Sequence, residues 1–189
     1  MKGIVLVNNE RYAEGYLHFL MHFHGDRDYF ECHEILEAYW KEHPESPLRT
    51  TWVGLIQAAV GMYHYRRGNF AGAKKSIQGS ILRSDTAHLE ILGLDATLWI
   101  ARLHDILYRL DSSPIKPYID IDIPISDVTL LSTCQSLCMK HGYIWGAQSD
   151  INQSALIHRH TLRDRSDVIE QRRLAKDQKS QQRDRREYS

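Results

Sequence analysis

Apolar residues recur at three- and four-residue steps along most of this chain, so its pattern is helical almost throughout. Tyr12, Tyr16, Phe19, Leu20 and Phe23 share one face, and Gly25 offers a stop. Asp28 to Glu31 has the form of a capping box, which predicts a second helix running to about His43, before Pro44 and Pro47 mark a turn. A long third helix is predicted from about Leu48 to Gly68, a natural left-handed terminator. Asn69 can cap a fourth through about Arg83, with Phe70, Ala73, Ile77 and Ile81 inward.

The stretch from Leu89 to Leu94 is apolar without a pattern that sets its conformation. Asp95 can cap a fifth helix carrying Trp99, Leu103, Ile106 and Leu110, and Ser126 a sixth that ends near Gly142. Between them, three prolines and the alternation from Tyr118 to Ile123 predict an extended, strand-like segment laid over the bundle. Short connections favour an antiparallel, all-α bundle of five to six helices.

Composition refines this picture in three places. Residues 151–189 hold ten Lys/Arg and six Asp/Glu, a local net of +4, whereas the whole chain is neutral. That divides the chain into a bundle domain, 1–150, and a basic, partly flexible extension, 151–189. No apolar run approaches the roughly 20 residues of a membrane helix, and Gly3 to Val7 is too short for a signal-peptide core. Three cysteines, an odd number, fit reduced thiols and a cytoplasmic setting. Cys134 and Cys138 stand one turn apart, but a lone pair is a weak metal signal. No sequence context marks a serine or cysteine nucleophile, and Cys32 reads as a packed thiol.

The candidate chemistry lies on helices two and three. At 100° per residue, His33, Glu34 and Glu37 fall within an arc of about 100°, with Phe30 and Trp40 on or beside it. Gln57 and His64 are two turns apart on helix three, flanked by the small-residue stripe Gly54, Ala58 and Gly61. If helix two fills that stripe, its carboxylates meet Gln57 and His64. Three readings compete: a satisfied network locking the helices, a small-molecule pocket walled by Trp40, Tyr63 and Tyr65, and a site for zinc, iron or manganese. The order His33-Glu-Ile-Leu-Glu37 lacks the second histidine of zinc-protease helices. Glu14, His18 and His22 form a weaker stripe at four-residue steps.

These segments resemble the signature of the domain-of-unknown-function 309 family, small all-helical proteins found mainly in prokaryotes. The resemblance covers about residues 26–85: Phe30 to Trp40, Gly54 to Val60, Tyr63-His64, and Gly68-Asn69 through Ala73. Pro124 to Asp127 and Leu162 to Ile169 look similar to extended members. The resemblance implies a compact helical bundle with its motif residues between helices two and three, and no particular activity.

The reading that follows is a binding or scaffold domain organised around His33, Glu34, Glu37, Trp40, Gln57, Tyr63, His64 and Asn69, with a small molecule or protein as partner. The alternative is a metal-dependent, hydrolase-like enzyme in which His33, Glu37 and His64 bind a divalent ion and Glu34 is the general base. A third is docking of nucleic acid or protein through the basic extension, including His158, His160, Arg163 and Arg165. Self-association is compatible with all three.

Overall fold

A computed structural model describes residues 11–162, and its contacts divide the chain into one unit ending at Ile157 and another starting at His158. Of the second, one turn, Arg159–Leu162, is described. The remaining basic extension, and with it the tail-docking expectation, lies outside the described residues, as do residues 1–10. The first unit comprises α1 (Glu14–His24), α2 (Tyr29–Glu42), α3 (Arg49–Arg66), α4 (Phe70–Leu82), α5 (Thr86–Ile91), α6 (Ala96–Asp111), α7 (Val128–Lys140) and a final turn, α8 (Ser154–Ile157). The protein is all-α. Among the described residues there is no strand, only an isolated antiparallel bridge between Leu94 and Ile125.

Side chains set most of the helix starts. Asp28 accepts a hydrogen bond from the Glu31 amide at 3.0 Å, Asn69 from Gly72 at 3.1 Å, and Asp95 from Leu98 at 2.9 Å. Each satisfies a first-turn N–H that has no partner within its helix. The start of α7 differs from the expectation: Asp127, not Ser126, accepts from Leu130 at 2.9 Å, while the Ser126 hydroxyl donates to the Gly93 carbonyl. A carboxylate at that position also gains from the positive end of the helix. The stretch that the pattern left open, Leu89 to Leu94, holds the end of α5, a helix capped by Asp85, and the turn at left-handed Gly93.

Helix α3 is the central element, with twelve of its eighteen residues buried, so it must be covered on several sides. It packs against α2 and α4, while α1 packs against α2 and α7, and α4 against α6. The two ends of the α2–α3 pair show that they run antiparallel. Arg49 at the start of α3 stacks on Trp40 near the end of α2, and Tyr63 near the end of α3 meets Phe30 at the start of α2.

The small-residue stripe of α3 serves α4, not α2. A Cβ on Gly61 would stand 2.6 Å from Cδ1 of Ile77, and one on Gly54 would stand 3.1 Å from Cβ of Arg83. The physical reason is connectivity: the link Arg67–Asn69, turned by Gly68 at φ 74°, returns the chain at once along the same flank. The closest approach goes to the helix that follows, and α2 takes the other flank.

The segment from Tyr118 to Ile123 forms neither helix nor strand, so the strand-like expectation is not met, but it lies on the bundle with Ile121 and Ile123 buried. Its alternation puts Asp120 and Asp122 where buried cations and tyrosines reach them. Arg27, between α1 and α2, is left-handed (φ 57°) and almost fully buried. Its guanidinium donates to the carbonyls of Phe23 (2.9 Å), Ile121 (3.0 Å) and Ala147 (2.7 Å) and to Asp122 (2.7 Å). Arg66 donates to the Arg27 carbonyl at 2.8 Å and to the Ser149 hydroxyl at 3.0 Å. Asp120 accepts from Tyr29 at 2.9 Å, from Tyr118, and from both the amide and the hydroxyl of Ser149 at 2.6 Å. Nearby, the buried ring of His24 stacks on Trp145 at 4.2 Å.

Electrostatics follow from these contacts. Burial alone would raise the Asp120 carboxyl, but the hydrogen bonds from Ser149, Tyr118 and Tyr29 outweigh it and hold the group below the usual carboxylate range. Asp122 is held lower still, first by its contact with His24 and then by Arg27. Burial moves His24 the other way for a base, favouring its neutral form despite Asp122.

Two predictions test this architecture. Gly61→Ala is expected to destabilise the bundle by about 1–3 kcal/mol in urea unfolding, through overpacking, with partial recovery in the Gly61→Ala/Ile77→Val double variant. Asp120→Asn turns an amide NH2 toward the Ser149 donors, and should cost about 1–3 kcal/mol at pH 7. Because the folded carboxyl is depressed, its stabilisation is fully present above the unfolded value of about 4 and is lost as pH falls through the folded value. Unfolding curves of Asp120→Asn and wild type should therefore converge in acid and separate at neutral pH.

Candidate functional site

Helix α2 buries only Tyr29, Cys32 and Leu36, a narrow seam at steps of three and four. That seam leaves Phe30, His33, Glu34, Glu37 and Trp40 half-buried on the remaining surface. The His33 ring lies between two carboxylates: Nδ1 is 3.2 Å from Glu34 Oε1, and Nε2 is 3.1 Å from Glu37 Oε2. These side chains are 29–32% exposed, and Lys41 reaches the other oxygen of Glu37 at 2.9 Å. One ligand atom from each of His33, Glu34 and Glu37 lies within 4.8 Å of the others.

Both ring nitrogens of His33 thus lie within ion-pair distance of a carboxylate. An ion pair alone at i, i+4 on an exposed helix contributes a few tenths of a kcal/mol. The same spacing places donor atoms for a divalent ion on one side of one helix.

The α3 half of the expected network does not join this cluster. Gln57 turns to α4, where its Oε1 accepts from Arg83 at 3.2 Å beside Gly79. His64 sits 3.1 Å from the Asn69 side-chain amide, and burial, followed by the charge of Arg67, lowers its pKa. Asn69 therefore works twice, as the α4 cap and as the partner of His64. Among the described residues, neither Gln57 nor His64 bonds to Glu34 or Glu37, and the ligand set His33, Glu37 and His64 is not assembled. The cause is again α4, which draws the Gln57 flank of α3 to itself, while the turn at Gly68 holds His64.

Tyr63 stays with the strip. It is buried, 5.8 Å from the Phe30 ring, and carries the Arg67 guanidinium at 5.0 Å over its face. Trp40 forms the other end, with the Arg49 guanidinium 4.3 Å above its ring. Sequence reasoning places Arg49 in the first turn of helix three and does not single it out. A basic residue opening a helix, where the dipole disfavours it, was the available signal. The Glu14, His18 and His22 stripe does not converge: Glu14 is largely exposed, and His22 pairs with Asp26 at 3.1 Å. The three cysteines are buried free thiols; Cys32 donates to the Phe19 carbonyl and Cys138 to that of Met21.

No described helix is long and apolar enough to cross a membrane. No solved structure matches the chain. The family model described as a domain of unknown function, DUF309, matches residues 16–76, which spans α1 to the middle of α4 and so includes the whole α2 strip. The chain is also 41% identical over 175 residues to the uncharacterized protein YpuF of Bacillus subtilis strain 168, covering 92% of this chain and 99% of that protein. With the α2 and α3 signatures in place and a relative similar along nearly its full length, this chain belongs to the DUF309 family.

Proposed function

We propose that this protein is a binding domain whose working surface is the outer strip of α2, and that His33, Glu34 and Glu37 take up a divalent cation there. The observation that carries this reading is the convergence of one imidazole and two carboxylates, with ligand atoms within 4.8 Å, on a half-buried surface. Full exposure would leave such groups to water, and full burial would leave no route for a ligand. Zinc, manganese and ferrous iron all accept imidazole with carboxylate. Phe30 and Tyr63 at one end and Trp40 at the other supply apolar area beside the charged centre, as small-ligand sites commonly do. A hydrolase built on His64 has less support, because His64 is engaged by Asn69.

The test is calorimetric titration of zinc and manganese into protein prepared without a metal-affinity tag, with elemental analysis of the protein as purified. One ion per chain is expected, with affinity at least about tenfold weaker in His33→Ala and Glu37→Gln and unchanged in His64→Ala. Equal binding by wild type and the His33→Ala/Glu37→Gln double variant would overturn the proposal.

A further inference from the structure

Arg49 opens α3, and its guanidinium lies 4.3 Å over the indole of Trp40. Among the described residues it makes no side-chain hydrogen bond and no ion pair. Its Nη1 and the Nε1 of Trp40 are both shielded from solvent, and both lack an acceptor. The fully buried Arg27 contrasts with it: its guanidinium donates to three carbonyls and to a carboxylate. A shielded donor without a partner is rare in native proteins and calls for an unseen acceptor. Here two such donors belong to side chains stacked on one another.

A third feature points the same way. Helices α2, α4, α5, α6 and α7 each carry an Asp or Asn cap, whereas α3, like α1, has no side-chain cap, its cap position being Leu48. Its first turn therefore presents a positive end that no side chain neutralises. An acceptor placed between the guanidinium and the indole edge would stand beside that end.

We infer that Trp40 and Arg49 form a recognition notch for the carboxylate of a small organic acid. The chemistry fits that group on two counts. A carboxylate offers two acceptor oxygens in one plane, one for the guanidinium and one for the indole N–H, which only donates. It also carries a single charge, matching the single unpaired guanidinium. A phosphate dianion is disfavoured, because Glu37 lies one turn before Trp40, Glu42 ends α2, and the link to α3 adds Glu45. The notch rests on orphaned donors rather than on the His33 cluster, so it stands whether or not a cation binds there.

The test is a proton–nitrogen correlation spectrum of the full chain, titrated with acetate and with succinate against sodium chloride at matched ionic strength. The Trp40 indole signal is assigned by its absence in Trp40→Phe. It should move saturably with either acid and stay put with chloride. That movement should vanish in Arg49→Gln, weaken at least tenfold in Arg49→Lys, which keeps the charge without the planar fork, and persist in His33→Ala. The remaining indole signals report whether each variant is folded. An indole signal that ignores both acids, or that moves equally in Arg49→Lys and wild type, would overturn the inference. So would a shift that grows linearly without saturation.

Discussion

The guanidinium of Arg27 is the contact on which the arrangement of this bundle turns. It gathers three pieces of chain that are far apart in sequence: the last turn of α1 through Phe23, the Tyr118–Ile123 segment through Ile121 and Asp122, and the loop through Ala147. Holding a non-glycine residue in the left-handed region costs about 1–2 kcal/mol, and a buried cation costs several more unless its donors are filled. Both costs are met by the same set of bonds. Because Asp28, the next residue, caps α2, the conformation of Arg27 also fixes the direction in which α2 leaves the corner. Arg66 from α3 then bonds to the Arg27 carbonyl, tying the far end of the α2–α3 pair to the same point.

That geometry explains why α2 has a surface to spare. Anchored at its start by Asp28 and Tyr29 and along a narrow seam by Cys32 and Leu36, it needs no further burial to stay in place. Phe30, His33, Glu34, Glu37 and Trp40 are left half-covered and available. Helix α3 is the opposite case: enclosed on several sides, it uses its polar residues for packing, Gln57 against Arg83 and His64 against Asn69.

The helices were legible in the sequence because their signals are local. Asp28, Asn69 and Asp95 each start the helix that their position announces, and Gly68 ends α3 as a left-handed glycine should. From Tyr118 to Ile123 only the alternation was legible: Ile121 and Ile123 turn inward, but no strand forms. Partnership between helices was not, because a helical wheel says which residues share a face and not which neighbour covers it. The Gly54, Ala58 and Gly61 stripe admits any close helix, and the short link after Arg66 assigned it to α4. Arg27 was hidden for a related reason: a charged residue in a short turn between Asp26 and Asp28 looks solvated until the distant Asp122 is brought to it.

Native-state hydrogen exchange of an Arg27→Leu variant, which keeps an apolar side chain in the corner but removes every guanidinium donor, addresses the role of Arg27 most directly. If the guanidinium holds the corner, protection should fall at the amides of Gly146 and Ser149, which bond to His24 and Asp120, and at Glu31 in the first turn of α2. Amides in the middle of α3 and α6 should keep theirs. Unchanged protection at Gly146, Ser149 and Glu31 in a folded Arg27→Leu protein would contradict that role.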